Sequence, residues 1–249
     1  MRYALYFAEP ATDPLMQLGN AWLGRDTFTG TELPQPEVTG LEPARFQELT
    51  KDPRRYGFHG TLKAPFSLRG DQSEAALLKA CEAFAGEIAP YDIEGLSVNR
   101  LGRFLALTPD VEEADLRAFA ALCVRRFEPF RAPLSAADIE HRRKAGLGPK
   151  LDAYMTEWGY PYIFDEFRFH MTLSNKLEDD GEAALLEDVA EDFFAGVTGK
   201  ARLCRHFALY AEPERGAPFH VHTVFQLTGS VPPQDALRQS TSLSHEEHA

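Results

Sequence analysis

The tetrad His59-Gly60-Thr61-Leu62 returns as His170-Met171-Thr172-Leu173, 170 − 59 = 111 positions further along. Each copy sets an imidazole and a hydroxyl two residues apart. Both copies lie in runs that alternate as a β-strand does, and on a strand residues i and i+2 share a face. In the first run Tyr56, Phe58, Gly60, Leu62, Ala64 and Phe66 are predicted to face one way, with His59, Thr61 and Lys63 facing the other. In the second, Phe167, Phe169, Met171 and Leu173 form the apolar side, and Arg168, His170, Thr172 and Ser174 the polar one. One such histidine on a solvated strand is ordinary polar-out alternation. Two copies in matching places point to chemistry. Histidine titrates near pH 6.5, so two imidazoles can hold opposite protonation states near neutrality, one taking a proton while the other gives one. The threonine hydroxyls can donate to the same tetrahedral group as negative charge develops on it. This set suits metal-independent cleavage of a phosphodiester, a neutral histidine activating water and a protonated one covering the leaving oxygen. Which histidine takes which role is open at this level.

The elements that must position these groups are legible in the spacing. Residues 3–8 read as a strand, and Leu15, Leu18 and Trp22 recur at helical spacing up to Gly24. Residues 26–54, rich in Thr, Gly and Pro, read as loop with one short helix near 43–49. Strands are expected at 56–68, at 91–98 with 104–107, at 166–174, and near 203–211 and 219–227. Leu77, Cys81, Phe84 and Ile88 mark one helix, Leu116, Phe119, Cys123 and Phe127 a second, and Leu186, Val189 and Phe193 a third that stops at Gly196. The order repeats loosely, as in two similar lobes. After Gly229 apolar residues thin out, and residues 230–249 are expected to be a disordered tail.

The chain carries 26 basic and 38 acidic residues, 26 − 38 = −12, a field that repels duplex nucleic acid and anionic membranes. A phosphate-bearing ligand must therefore meet a focused positive site. The run His141-Arg142-Arg143-Lys144-Ala145-Gly146-Leu147-Gly148-Pro149-Lys150 holds four Lys or Arg and no acid. It is expected to form a lid that grips a second phosphate, with Arg143 favoured. Lys63 and Arg168, on the polar faces of the motif strands, are further substrate-binding candidates, and Tyr6 is a candidate lining residue. No Walker-type GxxxxGK(S/T), GxGxxG or HExxH occurs in the sequence, so triphosphate, dinucleotide and zincin readings have no support. His206, His220 and His222 have a spacing zinc could use but lack a clear further ligand; no metal and no cofactor is expected. Cys81, Cys123 and Cys204, in apolar settings without CxxC spacing, read as reduced core thiols. With no signal-like N-terminus and no apolar run near the roughly 20 residues of a membrane span, the expected location is the cytoplasm.

Paired H-x-T-hydrophobic motifs resemble those of the two-histidine phosphoesterase superfamily, which includes cyclic phosphodiesterases and RNA ligase-like enzymes. The strings YGFHGTLKAPF and DEFRFHMTLSNK, with the opening RYALYFAEP, are similar to a bacterial branch encoded beside phosphonate-degradation genes, over about residues 1–228. The resemblance implies an α+β fold: two pseudosymmetric lobes, each an antiparallel sheet with helices on its outer face, around a central cleft. It divides a single domain of residues 1–229 into a first lobe of about 1–130 and a second of about 131–229. It also implies that His59 and His170 are the catalytic pair, that Thr61 and Thr172 hold phosphate, and that a ribosyl 1,2-cyclic phosphate is a substrate. Two rival readings stand beside it. One is a non-catalytic module that holds an RNA end, with short single-stranded RNA as partner, or a phosphorylated metabolite. The other is a metal-dependent hydrolase using His206, His220 and His222.

Overall fold

The computed structural model describes residues 1–144 and 146–246. In chain order the elements are β1 (Arg2–Phe7), α1 (Pro14–Leu23), α2 (Pro43–Leu49), α3 (Lys51–Tyr56), β2 (Gly60–Phe66), α4 (Glu74–Glu87), β3 (Tyr91–Ile93), β4 (Leu96–Leu101), β5 (Phe104–Pro109) and α5 (Ala114–Arg126). Then come α6 (Ala136–Arg143), α7 (Pro149–Trp158), β6 (Met171–Thr172), α8 (Asp180–Phe194), β7 (Arg202–Cys204), β8 (His206–Glu212), β9 (His220–Gln226) and α9 (Pro233–Glu246). Local chemistry sets several boundaries. Asp13 accepts a hydrogen bond from the Leu15 amide, Pro14 opens α1, and Gly24 closes it in the left-handed conformation at φ 75°. Ser73 caps α4 and Asp179 caps α8 in the same manner as Asp13.

Seven strands form one antiparallel sheet in the order β4-β5-β6-β2-β1-β8-β9, while β3 and β7 pair separately. The two motif strands, β2 and β6, are neighbours at its centre. Phe84 of α4 stacks on Phe119 of α5 and meets Phe127, just after α5, edge to face, and both Phe84 and Phe119 meet Phe207 of β8 edge to face, which closes the core on one side of the sheet. Trp22 of α1 packs against Phe46 and Phe194 and donates its indole N–H to the Leu173 carbonyl at 2.9 Å, tying α1 to the end of the second motif. The three cysteines are buried and free, as expected of core thiols.

The antiparallel α+β class matches expectation, but the sheet does not divide near residue 130. β4 and β5, from the first half of the sequence, join β6, and β8 and β9, from the second half, join β1 and β2. Strand pairing is decided by which edges meet in the core, and sequence order does not record that. The second motif strand is also shorter than the alternation predicts, with a 3-10 turn at Phe164–Glu166 before it. Residues 51–54, read as loop, and Tyr56, read as the start of a strand, belong to α3. Residues 233–246, read as tail, form α9, which packs beside α5 through Ala236 and Leu237. The Gln234 amide donates to Asp115 at 3.2 Å, and Ala89 N–H donates to the Val231 carbonyl at 2.9 Å. Two apolar residues suffice there because α5 already offers a surface to cover. Residues 247–249 of the predicted tail lie outside the described residues. No described helix is long and apolar enough to cross a membrane.

Candidate active site

Gly60 of β2 pairs with Met171 of β6. The same antiparallel register sets His59 opposite Thr172 and Thr61 opposite His170, since both pairs sum to 231, as 60 + 171 does. Directly opposed residues on a sheet stand about 4.5–5.5 Å apart at Cα. The four predicted groups therefore form a compact quartet on one face. Tyr6 belongs to that face, because it is the register partner of Thr61, and its ring stacks on His59 with centroids 3.6 Å apart and planes 17° from parallel. His170 lies beside Phe104, ring centroids 5.7 Å apart.

Both imidazoles are held the same way. His59 Nδ1 donates to the Gly57 carbonyl at 2.8 Å, and His170 Nδ1 donates to the Arg168 carbonyl at 2.9 Å. In each case the acceptor is two residues upstream. A proton kept on Nδ1 leaves Nε2 as the atom that exchanges protons with a ligand, the role a carbonyl or carboxylate partner commonly fixes. Thr61 donates its hydroxyl to the Nε2 lone pair of His59 at 3.1 Å.

Burial beneath Tyr6 pushes the His59 pKa down to about 4; the Gly57 carbonyl opposes this and the nearby His170 adds to it. At neutral pH His59 is therefore an unprotonated imidazole whose Nε2 lone pair accepts from Thr61. Its folded-state pKa lies below the ordinary 6.5, so the neutral form is favoured by folding. The stability this contributes is complete above about pH 6.5 and is lost as pH falls from there through about 4. We expect chemical denaturation at stepped pH to show that loss in the native protein and a smaller one in His59→Asn. An equally steep loss in the variant would remove His59 as its source.

Three of the four groups, His59, Thr61 and Thr172, line a cavity of about 500 Å³ together with Tyr6, Tyr56, Arg2, Arg142, Tyr160 and Tyr162 among others; His170 stands outside its lining, and no carboxylate occurs among the lining residues described. In a chain of net charge −12, an acid-free lining with two guanidinium groups is the focused positive site that the charge balance demands. Arg2 is anchored by the fully buried Glu212, which Arg55 and the Gly216 amide also contact.

Three other predictions, and one rival reading, need correction. Lys63 is not in this cavity. The β1–β2 register shifts between Tyr6↔Thr61 and Leu5↔Lys63, so a bulge turns Lys63 to the face opposite Thr61. There it is 3% exposed and donates to Glu128 at 2.8 Å and to the Val124 carbonyl at 3.1 Å. Lys63→Met is expected to lower stability by about 1–3 kcal/mol, the cost of an orphaned buried acceptor, with KM unmoved. A raised KM at unchanged stability would restore the binding role. The Arg168 side chain lines a separate depression with Glu112, Arg117 and Asp165, and only its main-chain carbonyl serves the quartet. Arg143 is exposed and clamped on Asp152 by two hydrogen bonds of 2.6 and 2.7 Å; Lys150 is held by Asp165 and Glu166. The basic run reaches the cavity instead through Arg142, His141 and Leu147. Ala145 of that run lies outside the described residues. Finally, His206, His220 and His222 do not converge. His206 bonds Glu9, His222 lies 3.7 Å from Glu74, and no group of three His, Cys, Asp or Glu placed to hold a metal occurs among the described residues.

Sequence reasoning missed the carbonyls of Gly57 and Arg168 and the side chains of Arg2, Tyr56, Tyr160 and Tyr162. A main-chain acceptor leaves no signal in residue type. The aromatic residues could have been found as a cluster, Tyr160-Pro161-Tyr162, close to the second motif.

A family model described as "Protein of unknown function (DUF1045)" matches residues 61–220, a stretch that holds Thr61, Arg142, His170 and Thr172. The chain belongs to the DUF1045 family. It is also similar to two proteins named ribose 1,5-bisphosphate phosphokinase PhnN. The one from Janthinobacterium sp. (strain Marseille) is 36% identical over 221 residues, 88% of this chain and 49% of that protein. The one from Laribacter hongkongensis (strain HLHK9) is 31% identical over 221 residues, 89% of this chain and 50% of that protein. The chain thus spans about half the length of the curated relatives it matches. Among solved structures, TT0787 of Thermus thermophilus aligns with 93% of this DUF1045 chain and 100% of its own at 15% identity and TM-score 0.45. E. coli LigT complexed with 3′-AMP aligns with 91% and 98% at 13% identity and TM-score 0.40.

Proposed function

We propose that the chain is a cyclic phosphodiesterase of the two-histidine type that opens the ring of a small phosphorylated sugar or nucleotide without a metal. His59 is the general base and His170 the general acid. The observation that carries this reading is the matched pair of imidazoles, each with Nδ1–H tied to a carbonyl two residues upstream, on strands whose register sets each histidine against the other motif's threonine. In the proposed reaction Nε2 of His59 takes a proton from water as the oxygen attacks phosphorus. The bond to the ring oxygen breaks, and His170 gives that oxygen a proton. The product is a phosphomonoester with a freed hydroxyl, and the two histidines regain their starting states by exchange with solvent. Thr61, turned from Nε2, and Thr172 donate to the non-bridging oxygens.

A ribosyl 1,2-cyclic phosphate is the substrate this reading favours. The relatives' name contains a ribosyl phosphate, and the motif strings resemble those of proteins encoded beside phosphonate-degradation genes. The kinase activity in that name is assigned here to the half of those proteins that this chain does not span, because the sequence has no GxxxxGK(S/T) loop to hold a nucleoside triphosphate.

Phosphorus NMR of products from a panel of ribosyl 1,2-cyclic and 2′,3′-cyclic phosphates, with chelator present, tests the proposal. Ring opening of at least one to a single monoester is expected. Tight binding without turnover across the panel would favour the non-catalytic module, and loss of turnover with chelator would favour a metal-dependent route. Because a base protonated only near pH 4 sets the acid limb of kcat/KM, that limb is expected near pH 4. A limb at pH 6.5 would remove His59 from the base role.

A further inference from the structure

Arg25, directly after the cap of α1, is 8% exposed and has no ion pair among the described residues. Its guanidinium donates instead to three main-chain carbonyls: Nε to Arg54 at 3.0 Å, and one Nη to Arg55 at 3.4 Å and to Phe219 at 2.5 Å. Arg54 and Arg55 lie in the last turn of α3, and Phe219 immediately precedes β9. The last carbonyls of a helix lack intrahelical partners and form the negative end of its dipole, so a cation suits them. Gly57 closes this turn, its N–H donating to Pro53 at 2.8 Å and to Arg54 at 3.2 Å. A Cβ added at Gly57 would lie 3.3 Å from the Arg25 guanidinium and closer still to Thr27, which Asn20 holds at 2.7 Å. Arg25 and Thr27 thus wall the backbone whose carbonyl meets His59 Nδ1. Burial lowers the Arg25 pKa, with Tyr210 and Asp26 opposing. An apolar side chain of similar volume would fill this place without desolvating a charge; what the guanidinium adds is a rigid planar fork with donors aimed in fixed directions.

We propose that Arg25 is a positioning residue for the reaction: by clamping the end of α3 to the entry of β9, it holds the Gly57 carbonyl where that oxygen keeps the His59 proton on Nδ1 and leaves Nε2 to the ligand. The consequence for turnover rests on the cyclic phosphodiesterase reading; the consequence for the tautomer does not. The influence is geometric. Arg25 does not line the cavity, and the groups that shift His59 are its own burial, the Gly57 carbonyl and His170. Substrate binding is therefore expected to be untouched. His170 serves as an internal control, because its Nδ1 partner is the Arg168 carbonyl on a different segment.

The test combines nitrogen NMR of the imidazoles, recorded about 1.5 units above the ordinary histidine pKa of about 6.5, with kcat and KM on the cyclic phosphate that the native protein opens. Native protein, Arg25→Met, Arg25→Lys and Lys63→Met are compared. Native His59 is expected as the Nδ1–H tautomer alone. In Arg25→Met an Nε2–H form of His59 should appear while the His170 tautomer stays as in native protein. There kcat should fall about 10- to 100-fold, since a misplacement of about 1 Å can cost about 10²-fold, with KM within about two-fold of native. Arg25→Lys should fall between, keeping the charge but not the planar fork. Lys63→Met removes another buried cation and should lose stability while keeping the native tautomer and kcat. A His59 that stays wholly Nδ1–H in Arg25→Met would overturn the positioning role, as would an equal kcat loss in Lys63→Met or a loss carried by KM. If native protein opens no ring, the phosphodiesterase reading fails, and the spectra still decide whether Arg25 sets the tautomer. Should Arg25→Met fail to fold, Arg25→Lys is judged by the same spectra and the same split between kcat and KM.

Discussion

His59→Ala and His170→Ala are each expected to lower kcat by about 10²- to 10⁴-fold on the cyclic phosphate that the native protein opens, the usual size of one general acid–base contribution. Each tenfold corresponds to about 1.36 kcal/mol of barrier. Both residues act on one transition state, so the double variant should be little worse than the poorer single one. The two roles separate by leaving group. A diester with a p-nitrophenyl leaving group needs no proton on its departing oxygen, so it should recover much of the His170→Ala loss and little of the His59→Ala loss. Recovery in His59→Ala instead would exchange the roles, and near-native kcat in either single variant would end the two-histidine reading. His59→Ala is the more disruptive of the two structurally, because its ring stacks on the buried Tyr6, so the melting temperature must be measured alongside.

The second large effect is expected from a residue with no reactive group. Gly57 has φ 78° and ψ 162°, a region closed to other residues, and an added Cβ would collide with Cγ2 of Thr27. Its carbonyl is the acceptor that orients His59. Gly57→Ala therefore meets backbone strain of about 1–3 kcal/mol and a clash with buried Thr27, and relief of either moves that carbonyl. At about 2–4 °C per kcal/mol for a chain of this size, the melting temperature should fall by several degrees. Activity should fall more than stability accounts for, since a misplacement of about 1 Å can cost about 10²-fold. Gly30→Ala is the control: φ is 77° there, nothing lies within 4 Å of the added Cβ, and no motif residue depends on it. The idea fails if Gly57→Ala melts and reacts like Gly30→Ala.

The elements that sequence read well are those whose signal is local. α1, with Leu15 and Trp22 buried and caps at Asp13 and Gly24, is legible because period and punctuation lie within a dozen residues. β1 and β5 are legible for the same reason, but the strand expected at 91–98 is two, β3 and β4, which break at Glu94-Gly95 and pair with different partners. The His59 and His170 quartet was visible because the motif occurs twice. Lys63 was not, because a bulge against β1 reverses the face on which it would otherwise lie, and a bulge is a property of two strands. The choice of Arg143 over Arg142 failed similarly. Adjacent residues on a helix point about 100° apart, and only the docking of α6 decides which one meets the cavity. α9 escaped notice because its few apolar residues need α5 beside them to become a face.

By itself the sequence determined the secondary-structure vocabulary, the acidic field that calls for a concentrated basic site, and two copies of an imidazole–hydroxyl pair. These follow from side-chain chemistry and from periodicities of 2 and 3.6, which act within a few residues. Only the tertiary structure decided that β2 and β6 lie side by side, that main-chain carbonyls fix both tautomers, that burial lowers the pKa of His59, and that one arginine of the basic run faces the cavity. Those depend on register and burial between segments more than a hundred residues apart, for which no short stretch of chain carries the information.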